Sequence, residues 1–216
     1  GMGVGISLHG LASAVAAQGG VGVISATGLD FMKQGRTITA EIRAAKEKTG
    51  GVIGVNIMVA LRDFEKLVRE SIAAGADIIF AGAGLPLELP GLLPEHCRTK
   101  LAPIVSSGKA AKLIAKRWQS RYGYTPDAVV VEGPLAGGHL GFKTEELTDP
   151  NCTLESIFKD VQRELEPYGS IPLIAGGGIY YGGDIAKILA LGASAAQLGS
   201  RFVTTTECDA SPEFKE

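Results

Sequence analysis

The feature that most constrains the fold is an alternation of short, continuously apolar runs with segments of helical periodicity. The apolar runs are rich in β-branched residues and are predicted as strands at residues 21–25, 52–59, 77–80, 102–106, 128–132, 171–175 and 195–198. Helical patterns lie at residues 8–18, 38–48, 64–74, 109–122, 154–165 and 185–191, with a weaker, proline-interrupted pattern at 85–95. This alternation is typical of βα units around a buried parallel sheet.

Both a closed barrel and a doubly wound open sheet would satisfy this pattern, and two observations favour the barrel. Glycine and polar clusters follow the strands, where (β/α)8 barrels place their active sites. An eighth strand would precede Gly1, because residues 1–5 resemble a strand-to-helix turn. We therefore predict an α/β fold, a parallel (β/α)8 TIM barrel that lacks the first strand and the C-terminal segment. Residues 1–216 are expected to be one domain, incomplete at both ends, with nothing compact at 204–216.

The composition narrows the choice of partner. The chain has 21 Lys and Arg against 23 Asp and Glu, so a net charge of -2 supplies no broad basic surface for nucleic acid or an anionic membrane. Small molecules are the expected partners. Cys97, Cys152 and Cys208 lie far apart, which argues against a disulfide framework or a zinc site and favours a reducing cytoplasm. The sequence shows neither a membrane-spanning apolar run nor the basic start of a signal peptide.

Glycine turns follow the last two predicted strands. Consecutive glycines at Ala175-Gly176-Gly177-Gly178 let backbone N–H groups approach a phosphate, and the N-terminus of the next helix adds its dipole. A tight turn also needs glycine, but barrels commonly bind a phosphate between their last two βα loops. The second turn is Gln197-Leu198-Gly199-Ser200-Arg201, and two such turns in consecutive terminal units favour phosphate binding, with Gly177 and Gly178 in the first.

A glycine-rich loop with a histidine follows the fifth predicted strand, at residues 132–141. Flanking glycines let the backbone approach a planar ligand, while the imidazole of His139 can exchange protons near neutral pH. A flexible loop with an incidental histidine is the alternative, and the position at a strand end favours function. His9 and His96 lack such a setting and are interpreted as incidental.

Weaker candidates lie at other strand ends. Asn56 interrupts an apolar strand, and its amide needs partners that either a ligand or the protein could supply. Residues 81–86 and the segment Gly1-Met2-Gly3 are further glycine-bearing candidates for the pocket wall. Trp118 is interpreted as a packing residue on an outer helix, and Cys208 is given no role because no base lies near it in sequence.

Five motifs occur together in the order of a known family: residues 1–5, 54–58, 136–139, 175–179 and 197–202. Through them the chain resembles the nitronate monooxygenases, formerly called 2-nitropropane dioxygenases, as far as about Phe214. The FMN-dependent enoyl-acyl-carrier-protein reductases share these motifs. Glu132 stands where many nitronate monooxygenases carry Gln and the reductases commonly carry Glu. Ser200 replaces the usual Thr and keeps the hydroxyl group.

The resemblance implies an FMN-containing TIM barrel with the flavin across the carboxyl ends of the strands. His139 would be the catalytic base. The flavin ring or ribityl chain would contact Asn56, Glu132 and Gly137, and the phosphate end would be held by Gly178 and residues 197–200. Gly1, Met2, Gly3, Gly138 and Gly177 complete the set of candidate cofactor-binding residues.

The implied activity is oxidation of alkyl nitronates or nitroalkanes by oxygen to carbonyl compounds and nitrite. Two alternatives stay open. One is an FMN-dependent enoyl-acyl-carrier-protein reductase that uses NAD(P)H and an enoyl thioester. The other is a flavin-binding fragment without catalysis, since the family's nitronate enzymes close their pocket with further C-terminal segments. No metal is expected, and a homodimer is compatible with these features.

Overall fold

The structure is a computed structural model that describes residues 1–29, 32 and 35–215. The described residues form these elements in chain order: α1 (His9–Ala17), β1 (Val21–Ser25), α2 (Ile38–Lys48), β2 (Val52–Met58), α3 (Phe64–Ala73), β3 (Ile78–Gly82), β4 (Lys100–Val105), α4 (Gly108–Tyr122), β5 (Val129–Glu132), α5 (Thr144–Leu147), α6 (Leu154–Leu165), β6 (Leu173–Gly176), α7 (Gly182–Ala190), β7 (Ala195–Gln197) and α8 (Pro212–Lys215). Short 3-10 turns occur at Leu89–Leu92, Glu166–Tyr168 and Ser200–Phe202.

The first of two compact units comprises the described residues of Gly1–Ala81, Leu92–Lys100 and Gly199–Glu216. Its strands β1 and β2 pair in parallel, and β3 lies next to β2. Ile53 and Val55 on β2 are completely buried, and Gly54 between them is buried too, as expected for a strand covered on both faces. Helix α2 begins where the Thr37 hydroxyl accepts the Ala40 N–H at 3.2 Å.

The second unit comprises Gly82–Gly91 and Leu101–Leu198. Strands β4, β5, β6 and β7 pair in parallel in chain order. Helices α4 and α6 pack against each other and bury Trp118 and Phe158 completely. The Trp118 indole N–H donates to the Pro86 carbonyl at 2.8 Å, which confirms that this aromatic residue packs inside the protein.

The predicted strands all appear, with ends shifted by up to two residues. Helices at 38–48 and 154–165 are predicted to the residue. The short helices α5 and α8 are not predicted, and residues 204–215 pack into the first unit, where the sequence predicted nothing compact at 204–216. The single-domain organisation stays a prediction. In the described part of the chain, no helix is long and apolar enough to cross a membrane.

Candidate cofactor site

The glycine turn after β6 belongs to the second unit and packs against the loop after β5. Gly177 and Gly178 have φ of +99° and +77°, a backbone region that residues other than glycine rarely adopt. A Cβ on Gly177 would lie 2.9 Å from the Ala136 nitrogen, and one on Gly178 would lie 3.0 Å from Leu135 Cδ1. The Gly133 N–H also donates to the Gly176 carbonyl at 2.9 Å. These glycines therefore hold two loops together as well as exposing backbone.

Three successive N–H groups of this turn are left for a ligand. Those of Gly177, Gly178 and Ile179 have no acceptor within the described parts of the chain. The next two, of Tyr180 and Tyr181, donate to Asp184 Oδ2 at 3.0 and 2.8 Å. A carboxylate of the chain itself therefore lies at the start of α7, where the sequence predicted that the helix dipole would meet a phosphate.

The Asp184 carboxylate is stabilised in its charged form at this position. The N–H groups of Tyr181 and then Tyr180 are the main causes that hold the pKa of Asp184 below its usual range. The groups open to an anion are consequently those of the turn itself.

A row of three residues crosses the second sheet beside the turn. Glu132 on β5 pairs with Gly176 on β6, and Gly176 pairs with Gln197 on β7. Because Gly176 has no side chain, Gln197 extends over it, and Gln197 Nε2 donates to Glu132 Oε1 at 3.4 Å. Two of the predicted cofactor-binding residues are thus brought together.

The Glu132 carboxyl group lies where burial disfavours its charged form. Burial is the main cause that raises the pKa of Glu132, and the hydrogen bond from Gln197 opposes this rise. Proton exchange by Glu132 is therefore shifted toward neutral pH, which is a property of groups at functional sites.

The loop that carries His139 is exposed. Gly137, Gly138 and His139 all lie on the surface, and Gly138 has a φ of +88° with open space around it. The loop is held from β4, because the Ser106 hydroxyl donates to the Gly141 carbonyl at 3.1 Å. No described residue hydrogen-bonds the His139 imidazole, so its ring nitrogens are accessible to a small molecule.

The turn after β7 repeats one property of the first turn. The N–H groups of Leu198, Gly199 and Ser200 also have no acceptor among the residues that the structure describes. In the first unit Gly199 lies beside Met2, whose Sδ would be 3.5 Å from a Cβ built at this glycine. The 3-10 turn Ser200–Phe202 follows directly.

The N-terminal candidates also lie in the first unit. The Met2 N–H donates to Ser7 Oγ at 3.0 Å, and Gly1 and Gly3 approach the end of β1 so closely that Cβ atoms would lie 3.1 Å from Ser25 N and 3.2 Å from Thr27 Cβ. Half-buried Asn56 donates from Nδ2 to the Phe80 carbonyl at 3.3 Å. Its Oδ1 has no donor from the described residues and is left for a ligand.

Sequence reasoning missed the residues that hold these loops. The spacing of Tyr181 and Asp184 resembles a helix-capping pattern and could have identified Asp184. Ser106 gave no local signal, because its partner lies 35 residues away. His9, interpreted as incidental, pairs through Nδ1 with the buried Glu41 at 2.7 Å, which is a structural contact in the first unit.

Comparisons with known proteins agree with the resemblance in the sequence. The family model described as nitronate monooxygenase matches residues 31–216. A nitronate monooxygenase of Pseudomonas aeruginosa is 30% identical over 99% of this chain and 67% of its own length.

Two solved structures share the fold. FabK from Thermotoga maritima superposes with a TM-score of 0.79 and 31% identity over 100% of this chain and 61% of that chain. Nitroalkane oxidase from Streptomyces ansochromogenes gives a TM-score of 0.76 and 25% identity over 99% of this chain and 67% of that chain. The chain thus spans about two thirds of the length of these proteins. The predicted α/β class of parallel TIM-barrel type is confirmed.

Proposed function

Because this chain belongs to the nitronate monooxygenase family, a family of flavin-dependent oxidoreductases, we propose that it binds FMN and acts on nitronates or nitroalkanes. The proposed reaction uses oxygen to convert these small molecules to carbonyl compounds and nitrite. The observation that carries the proposal is that the N–H groups of Gly177, Gly178 and Ile179 have no acceptor among the described residues.

These donors fit the phosphate group of FMN. A phosphate offers several acceptor oxygens, and successive backbone N–H groups at a glycine turn can approach them without a side chain in the way. Gly178 and residues 197–200 would hold this end of the cofactor. The N–H groups of Leu198, Gly199 and Ser200, which no described residue accepts, support the same role.

The flavin end would be bound by polar groups at strand ends. This role would fall to Asn56 through an Oδ1 that no described residue hydrogen-bonds, to the half-buried Glu132 and to the exposed backbone of Gly137. The remaining candidates are Gly1, Met2, Gly3, Gly138 and Gly177. When bound, the flavin supplies the redox chemistry, and the chain supplies binding and orientation.

His139 is the proposed catalytic base. Its exposed imidazole would take the proton from the α-carbon of a neutral nitroalkane on one ring nitrogen and so generate the nitronate. The Ser106 contact to the loop limits the positions that the imidazole can reach. A substrate that is already a nitronate does not need this step.

The test of His139 compares neutral nitroethane with its preformed nitronate. His139→Asn should keep FMN bound and reduce oxygen uptake with the neutral compound by about 100-fold or more, in the range expected for loss of a general base. Uptake with the nitronate should fall much less. Equal losses with both substrates would contradict the role, and His96→Asn is the matched control.

An enoyl-thioester reductase is the second candidate. The FabK superposition and the presence of Glu132 rather than Gln favour it. Oxygen uptake with propionate 3-nitronate should be measured beside NADH and NADPH oxidation with a crotonyl thioester. Activity with the thioester alone would replace the nitronate proposal, and failure to bind FMN after reconstitution would contradict both candidates.

A further inference from the structure

A carboxylate from the C-terminal segment fills the N-terminus of α1 in the first unit. Asp209 Oδ2 accepts the N–H groups of Leu8 and Leu11 at 2.9 and 3.0 Å, and Oδ1 accepts that of Gly10 at 2.9 Å. The first N–H groups of a helix have no partner inside the helix, so an anion placed there is stabilised. Asp209 lies about 200 positions along the chain from the three residues whose N–H groups it accepts.

The helix is shaped to receive this carboxylate. A Cβ on Gly10 would lie 2.5 Å from Asp209 Oδ1 and 3.0 Å from the Glu207 carbonyl oxygen. Alanine forms helices more readily than glycine, so a glycine at the second position of α1 requires a reason. The close approach of Asp209 provides one.

Two further contacts fix the same segment. The buried Cys208 thiol donates to the Ile6 carbonyl at 3.4 Å. The Lys215 ammonium donates to the carbonyls of Thr205 and Cys208 at 2.9 and 2.7 Å, which closes the segment on itself. Residues 205–215 are thereby fastened to residues 6–11.

Two candidate stretches of the cofactor site in the first unit, the Gly199–Ser200 turn and the Gly1–Gly3 turn, lie near these attachments in the chain. The Gly199–Ser200 turn comes shortly before the anchored residues 205–215 in the chain, and the Gly1–Gly3 turn comes shortly before the helix that receives Asp209. Gly199 and Met2 lie side by side. We infer that Asp209 is a positioning residue that holds the Gly199–Ser200 turn in place to bind the phosphate of FMN. The inference rests on the proposed function.

The attachment can be measured without any cofactor. In a Cys97→Ser, Cys152→Ser background, Cys208 is the remaining thiol and should react slowly with a thiol reagent because it is buried. Asp209→Ala should increase the labelling rate at least about fivefold, since loss of a cap typically costs about 1 kcal/mol and frees the segment. Asp209→Asn keeps the size of the side chain and should have a smaller effect. A Cys208 that stays protected in folded Asp209→Ala would overturn the inference.

The positioning role is tested by comparing the affinities for FMN and riboflavin, because riboflavin lacks the phosphate. Asp209→Ala should weaken FMN binding about five- to tenfold and change riboflavin binding less than about twofold. Equal losses of FMN and riboflavin affinity, or no loss of either, would overturn the inference. FMN binding by the unmodified chain would still uphold the proposed function. Failure of the unmodified chain to bind FMN would overturn both.

Asp160 supplies the matched control in the second unit. Asp160 Oδ2 accepts the N–H of Gly108 at the start of α4 at 2.9 Å, so Asp160→Ala also removes a helix-capping carboxylate. This variant should leave both the labelling rate of Cys208 and the FMN-to-riboflavin ratio unchanged. If Asp160→Ala lowered the FMN-to-riboflavin affinity ratio as much as Asp209→Ala, Asp209 would act through general stability and the inference would be overturned.

Gly10→Ala tests the same contact from the other side. In the unmodified chain the new methyl group would displace Asp209 and should reproduce the loss of FMN affinity. In Asp209→Ala the clash with the carboxylate is gone and only the approach to the Glu207 carbonyl oxygen at 3.0 Å remains, so the same change should cost less stability than in the unmodified chain. A stabilising effect in both backgrounds would overturn the inference.

Discussion

The glycine turn after β6 and the N-terminus of α1 are both sites where backbone N–H groups point away from regular structure, yet they are completed differently. At α1 the groups of Leu8, Gly10 and Leu11 all donate to Asp209. At the turn, those of Gly177, Gly178 and Ile179 have no acceptor in the described residues. Glycine occurs in both places, in one to admit a side chain of the protein and in the other to adopt positive φ.

The difference shows why a glycine beside a helix is a poor indicator of ligand binding. Gly108 at the start of α4 is another case, since a Cβ there would overlap the Asp160 carboxylate. What separates a ligand site from an internal cap is whether the donors are already used. Three variants test this distinction.

Gly177→Ala should have the largest effect. The substitution places a Cβ 2.9 Å from the Ala136 nitrogen at a φ of +99°, and backbone strain of this kind costs about 1–3 kcal/mol. FMN affinity, followed by quenching of flavin fluorescence, should fall about ten- to hundredfold. Gly183→Ala is the control, because no atom of the described residues lies within 4 Å of a Cβ there. Unchanged affinity in folded Gly177→Ala would remove the turn from the proposed site.

Glu132→Gln should have an intermediate effect, on stability. Asp209 accepts three backbone N–H groups, whereas Glu132 receives the Gln197 amide at 3.4 Å and burial raises its pKa. A raised pKa means that Glu132 contributes most below the ordinary glutamate pKa of about 4.3 and loses that contribution as pH rises. The glutamine variant should therefore melt about 2–4 °C higher at pH 7 to 8, equivalent to about 1 kcal/mol.

The pH dependence distinguishes this cause from a general packing effect. The gain in melting temperature for Glu132→Gln should fade as the pH approaches 4, where Glu132 is protonated. The control is Glu145→Gln, which neutralises an exposed carboxylate. A gain that is the same at every pH would contradict the assignment to the charge of Glu132.

Asp184→Asn should have the smallest effect. It tests directly whether a carboxylate of the chain competes with the phosphate beside the turn. The variant removes the negative charge beside the turn and weakens the hold on the N–H groups of Tyr180 and Tyr181. FMN affinity should rise about two- to threefold at low salt, and the gain should shrink as salt is added. Asp149→Asn controls for the change in net charge. Weaker FMN binding would mean that Asp184 shapes the turn instead of competing with the phosphate.

Predictability from sequence depended on the range of the interactions. Helices α2 and α6 were predicted to the residue, because Thr37 and Thr153 cap them through neighbours three positions away. Helices α5 and α8 have four residues each, too few for a helical period to show. Glu132 and Gln197 were both predicted as cofactor-binding residues, but their meeting over Gly176 required the register of three strands.

The alternation of strands and helices and the positions of the glycine turns follow from the amino-acid order, since apolar periodicity and glycine conformation are local properties. Which backbone donors are already satisfied depends on the folded chain. Asp209 and Asp160 reach α1 and α4 from 198 to 201 and from 52 residues away, respectively. A hydrogen bond acts over about 3 Å, so its partners are set by folding rather than by order along the chain.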